Sequence, residues 1–148
     1  MLHLTLDIFF GLWEYFHSIP VARDFDNYFL CNELFDYDVA LILSKLDGHP
    51  FGQGGVVADL GCGTGRALVP LVEAGYQGLA IDLSPHMLSV VAEKSVAKDL
   101  TIHRLRANLV ELDGVRDEAV DHAISMFSTL GMIATGRIRA ILHQSAKS

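Results

Sequence analysis

Apolar positions along the chain change rhythm as the sequence proceeds. Near the start, Leu2, Leu4, Leu6 and Ile8 alternate as in a strand, whereas Ile8, Phe9, Trp13 and Phe16 recur as on one side of a helix. A helix over residues 2–17 is the preferred reading. Pro20 breaks that pattern, after which Phe35, Val39, Ile42 and Leu46 again recur at helical spacing until "DGHPFGQGG" ends the run with Gly and Pro. Together these segments predict a helical preface, or cap, over residues 1–50.

From Val56 the pattern switches to short apolar runs separated by helical stretches. Val56–Leu60 reads as a strand, Arg66–Ala74 as a helix, Gly78–Ile81 as a strand and Pro85–Ala97 as a helix. Leu100–Leu105 and Ala119–Phe127 read as two further strands. Strands alternating with helices imply right-handed crossovers and a parallel sheet, so the fold class is α/β, Rossmann-like, with flanking helices. Ser84 followed by Pro85 is a helix start: the serine caps the first amides, and proline is tolerated at the first helical position. Pro70 conflicts with its segment, because five residues into a helix it removes a backbone hydrogen bond.

The chemistry gathers in "VVADLGCGTGRALVPLVEAGYQGLAIDLSPHML", Val56 to Leu88, where Gly61, Gly63 and Gly65 follow Asp59 and a second strand ends on Asp82. In a parallel sheet the ligand lies at the carboxyl ends of the strands, nearest the turn after the first one. Glycines there permit positive φ and leave a ledge on which a ligand meets bare main chain. Asp82 sets a carboxylate beside that ledge, able to accept from the hydroxyls of a ribose. Asp59 then discriminates among nucleotides: an anion before the loop is a poor neighbour for a pyrophosphate but suits the ammonium of S-adenosylmethionine, which carries no phosphate.

That stretch resembles the first two motifs of class I S-adenosylmethionine-dependent methyltransferases. Two further segments extend the likeness to roughly residues 34 to 134. "RANLVEL" resembles the segment after the third strand, with Asn108 where the family usually has an acid accepting from the adenine amino group. "VDHAISMFSTLGMI" resembles the fourth strand and the loop after it in members that act on small molecules. The resemblance implies the first four strands of a seven-stranded fold in a methyltransferase domain over residues 51–148. It places Asp59, Gly61, Cys62, Gly63 and Gly65 at the methionine end of the cofactor and Asp82 at its ribose. Leu83 and Met87 would wall the adenine pocket, Asn108 and Leu109 would meet the base, and Met126 would lie beside the methionine moiety. Core packing competes with a site role at Leu83, Met87, Leu109 and Met126, and Cys62 reads as a small packing residue.

Methyl transfer from a sulfonium requires little of the protein beyond holding the acceptor in line and excluding water, so no catalytic residue is assigned. Ser125-Met126-Phe127-Ser128 lacks the Asn/Asp-Pro-Pro-aromatic pattern of enzymes that methylate exocyclic base amines or glutamine amides. There is likewise no Pro-Cys pair like that of cytosine C5 enzymes. A small-molecule acceptor is the default expectation. Tyr28, Tyr37 and His122 are candidate contacts with nothing to raise them above surface or core residues. A nicotinamide-dependent oxidoreductase and a non-catalytic cofactor-binding module are the alternatives.

Composition narrows the partners. The 148 residues, 51% of them hydrophobic, suffice for one core of ordinary size. The net charge is −7, and residues 1–50 hold eight acids against Arg23 and Lys45 alone, which argues against nucleic acid as a partner. Cys31 and Cys62 make neither a disulfide framework nor a zinc site, and the seven histidines show no metal spacing, so no metal is expected and a cytoplasmic location fits. The start has no basic leader, and the uncharged run from His122 to Gly136 is too short to span a bilayer, so no membrane is expected. "GRIRAILHQSAKS" reads as a helix leading towards a fifth strand. The expectation is a chain truncated before its last three strands, with the fourth strand an exposed apolar edge through which copies could self-associate.

Overall fold

The computed structural model describes residues 17–30, 34–46, 55–109 and 119–126, together with Leu112, Val115 and Thr129. Most of the segment 2–17, residues 47–54, Cys31, Phe127, Ser128 and the helix expected from residue 136 onward lie outside those residues.

Helix α1 (Ile19–Asp24) starts at Ser18, whose Oγ accepts from Val21 N at 3.3 Å, and Pro20 sits in its first turn, where its missing N–H costs nothing. A 3-10 turn over Phe25–Phe29 follows, then α2 (Leu34–Leu46). Beyond it come β1 (Val56–Leu60), α3 (Leu68–Glu73), β2 (Gln77–Asp82), α4 (Pro85–Ala97), β3 (Ile102–Arg106) and β4 (His122–Ile124). The four strands form one parallel sheet in the order β3-β2-β1-β4. Parallel neighbours need crossovers, and α3 and α4 supply the first two.

Alternation along the strands sorts the core into two layers. Val57, Ala80 and Ile102 face Leu68, Leu71, Leu88 and Val91 of α3 and α4, and Ile42, Leu43 and Leu46 of α2 pack against the same cluster. Ala58, Leu60 and Ile81 fill the opposite face with Leu109, Leu79 and Leu105. Leu68, Leu71 and Val91 are fully enclosed, each contributing about 2 kcal/mol by leaving water. Tyr76 ties α2 to this body by donating its hydroxyl to Leu46 O at 2.9 Å.

Several elements differ from expectation in their bounds. Helix α3 begins two residues later than the pattern predicts, so Pro70 is its third residue and falls in the first turn, where no helical hydrogen bond is lost. The conflict over Pro70 therefore disappears. Strand β3 runs two residues later at its start and one at its end. β4 is three residues long rather than nine, with Ser125 and Met126 already outside it. Its lead-in is fixed by Asp121, whose Oδ2 accepts from Val56 N at 2.7 Å and whose N–H donates to Val56 O at 3.0 Å.

Candidate cofactor site at the tips of β1 and β2

Two carboxylates end adjacent strands on the helix-facing side of the sheet. In register, Asp59 lies beside Ala80 and Leu60 beside Ile81, one residue before Asp82. The loop after β1 folds back over β2: Gly61 N and Cys62 N both donate to Ile81 O, at 2.8 and 3.0 Å, and Gly65 N closes a turn onto Cys62 O at 2.9 Å. Gly61, Gly63 and Gly65 all have positive φ, +76°, +53° and +77°. A side chain at Gly61 or Gly65 would be strained there whatever the space around it.

The space over these glycines is filled by the chain itself, which alters the expected open ledge. A Cβ on Gly61 would overlap the Thr129 methyl, one on Gly63 would meet the Phe25 ring at 3.4 Å, and one on Gly65 would press on Val91 at 3.1 Å. Gly65 thus lets α4 approach the loop closely, and Gly63 receives an aromatic ring from the front of the chain. The loop is close-packed as well as positively twisted.

Asp82 organises this loop. It is 7% exposed; its Oδ2 accepts from Gly63 N and its Oδ1 from Ser84 N, both at 2.8 Å. Burial pushes its pKa up, while the amides of Ser84, Gly63 and Leu83 pull it back. Each carboxylate oxygen keeps a further lone pair, so acceptance from a ligand hydroxyl is compatible with the clasp. Asp59 is different. It is 2% exposed, and its buried Oδ1 accepts no hydrogen bond from any described residue. Burial first, and the Asp82 charge second, raise its pKa from 3.8 to about 7, with Arg66 opposing.

The remaining expected residues divide by exposure. Leu83 and Asn108 are exposed, and Met126 is half-buried. Met87 is fully enclosed and Leu109 packs with Leu60 and Ile81, so both side chains sit in the core. Cys62 is buried in the α3/α4 layer, and burial, then Asp59 and Asp82, push its thiol well above the usual range, which keeps it protonated. No group of three or more metal-ligating side chains occurs among the described residues.

A clasp from the front of the chain escaped the sequence reading. Asp26 in the 3-10 turn accepts from Thr64 Oγ1 at 2.5 Å and pairs with Lys94 Nζ at 2.5 Å, while Lys94 also donates to Thr64 O at 2.9 Å. Thr64 is fully buried under this contact. Only an acid 38 residues ahead of the loop could have signalled it, and no local spacing does.

Against known proteins, residues 57–148 match the family described as "Methyltransferase domain". The chain belongs to that family. A Geobacillus protein named as a methyltransferase is 36% identical over 66 residues, which cover 43% of this chain and 27% of that one. The 18S rRNA (guanine-N(7))-methyltransferase RID2 of Arabidopsis thaliana is 35% identical over 68 residues, covering 46% and 22%. A crystal structure of a Methanococcus maripaludis protein, described as an S-adenosyl-L-methionine-dependent methyltransferase, superposes with a TM-score of 0.73 at 16% identity, covering 88% of this chain and 59% of that one. The chain thus spans only about a quarter of the length of these curated relatives. The family brings its cofactor, S-adenosylmethionine, and the site suits it: a buried carboxylate oxygen without a donor among the described residues is placed for an ammonium.

Proposed function

We propose that the chain is the S-adenosylmethionine-binding part of a methyltransferase that modifies a small molecule. The observation that carries the cofactor reading is Asp59: an enclosed carboxylate oxygen, Oδ1, with no donor among the described residues is costly unless a cation reaches it. Its Oδ1 receives the ammonium of the methionine moiety, directly or through water. Asp82 accepts from the ribose hydroxyls with the lone pairs its clasp leaves over, and Gly61, Cys62, Gly63 and Gly65 line the methionine end with main chain. Exposed Leu83 covers the adenine ring, and the Asn108 carboxamide accepts from its amino group. Met126 flanks the methionine moiety, while Met87 and Leu109 act from behind by packing the walls. When bound, S-adenosylmethionine supplies an activated methyl on its sulfonium; the protein's part is to hold the donor, exclude water and line up the acceptor.

Residues 1–50 act as a cap on the domain over 51–148, consistent with the Asp26 clasp on the loop. The acceptor assignment rests on the tetrapeptide after β4 and on the acidic charge; the rRNA-methylating relative makes RNA the alternative to test. Among the described residues no helix is long and apolar enough to cross a membrane.

The test is calorimetric titration with S-adenosylhomocysteine and, separately, NAD, followed by transfer of labelled methyl to amine, hydroxyl and thiol acceptors and to an rRNA fragment. Saturable binding of S-adenosylhomocysteine but not NAD, with label on a small acceptor, supports the reading. Binding of NAD alone contradicts the cofactor, and label on RNA alone contradicts the acceptor.

A further inference from the structure

On the edge of the sheet farthest from β4, strand β3 carries His103, Arg104 and Arg106 in five residues of an otherwise acidic chain. Arg104 and Arg106, on the same face of the strand as Ile102, line with Ser89 of α4 a groove of about 520 Å³ floored by Leu88 and Ile102, while His103 alternates to the opposite face. Both floor residues are buried in the core, so the groove has an apolar base and a basic rim. Among the described residues no acid lines it, and the first turn of α4 contains none. The two ion pairs among the described residues, Lys94–Asp26 and Lys98–Glu73, involve none of these cations.

The two arginines suit an anion with several oxygens. Residues two apart on a strand share a face about 6.6 Å apart, so Arg104 and Arg106 lie on one face of β3, and both line the groove. Arg106 donates Nε–H to Leu83 O at 3.2 Å, which orients its plane and leaves the four N–H groups of its terminal nitrogens for a ligand. Planar forks of this kind match phosphoryl oxygens and exceed what a single carboxylate can satisfy. The positive end of the α4 dipole adds to the field at the Pro85 end of the groove. The groove is shallow and open to solvent, and the net charge of −7 opposes a long polyanion, so the occupant is compact.

We propose that the groove between β3 and α4 is a binding site for a small phosphorylated molecule, with Arg104 and Arg106 clamping its phosphoryl oxygens. The groove starts beside the β2 tip, where Arg106 pairs in register with Asp82 and bonds Leu83 O, and runs from there between β3 and α4; the proposal does not depend on the methyltransferase reading.

Inorganic pyrophosphate is the probe, titrated by calorimetry at physiological salt into the whole chain, with a 12-nucleotide single-stranded RNA as the second arm. The expected result is saturable one-to-one binding of pyrophosphate, weakened at least tenfold in Arg104→Gln and only partly in Arg104→Lys. Binding of S-adenosylhomocysteine and the far-ultraviolet circular dichroism are expected to stay unchanged in both variants. A Ser89→Trp variant, which fills the groove without changing its charge, should also abolish pyrophosphate binding. Absence of saturable binding, equal affinity in Arg104→Gln, or tighter binding of the RNA than of pyrophosphate would each overturn the proposal.

Discussion

The tips of β1 and β2 lie side by side, and each ends with a carboxylate in the last two positions, yet the two groups have opposite circumstances. Asp82 is surrounded by donors: the Gly63 and Ser84 amides hold both its oxygens at 2.8 Å. Asp59, equally enclosed, has an oxygen with no donor among the described residues and a pKa raised to about 7. The difference teaches that one sequence motif contains two kinds of acid. Asp82 has a structural role before any ligand arrives, because it fixes the loop. Asp59 leaves Oδ1 without a donor among the described residues and makes the fold costlier when ionised, which is the signature of a group kept for a ligand.

Breaking the satisfied side should have the largest effect. Asp82→Ala removes two charge-assisted hydrogen bonds and leaves the Gly63 and Ser84 amides buried without partners, a loss of about 5 kcal/mol. Chemical denaturation is expected to show that loss, with S-adenosylhomocysteine binding abolished as well.

The unsatisfied side should reveal itself through pH. Unfolded Asp59 ionises near 3.8 and folded Asp59 near 7, so between these values the folded state holds a proton that the unfolded state has released. Stability from this group is complete below about pH 4 and is lost as pH rises through 7, by on the order of 4 kcal/mol. Asp82, also shifted upward, adds a contribution of the same sign. Urea denaturation from pH 4 to pH 8 should therefore show falling stability in the ligand-free protein, and Asp59→Asn should flatten most of that slope.

The glycines sharpen the comparison at an intermediate scale. Gly61→Ala forces a left-handed conformation on alanine and pushes its methyl into Thr129, for about 2 kcal/mol of destabilisation by denaturation. The smallest effect belongs to the front clasp. Lys94 and Asp26 are partly exposed, so a double-mutant cycle on Lys94→Ala and Asp26→Ala should return a coupling below about 1 kcal/mol.

Much of this was legible in the sequence, and the physics explains which parts. β1 and α4 fall where the pattern puts them, because a buried strand between turn residues and a Ser-Pro helix start are local signals. Both acids and the loop are placed by strand order, which short crossovers determine. The late start of α3 was not legible, since Arg66 and Ala67 carry helical propensity but lie instead in the turn closed by Val69 N on Gly65 O. β4 is shorter than its run because only His122–Ile124 pair with β1, and residues 119–121 and 125–126 flank the ladder. Phe25 over Gly63 and Asp26 on Thr64 were invisible for a different reason: contacts nearly forty residues apart depend on how the front of the chain docks. The same contacts changed the meaning of the glycines, from open ledge to close packing.

The central claim is that Asp59 is kept for a cation of the cofactor, and calorimetric titration of S-adenosylhomocysteine at pH 8 into the unaltered chain and into Asp59→Asn tests it most directly. The account predicts one-to-one binding to the unaltered chain and at least tenfold weaker binding to a variant that remains folded. Equal affinity in the two proteins would contradict it.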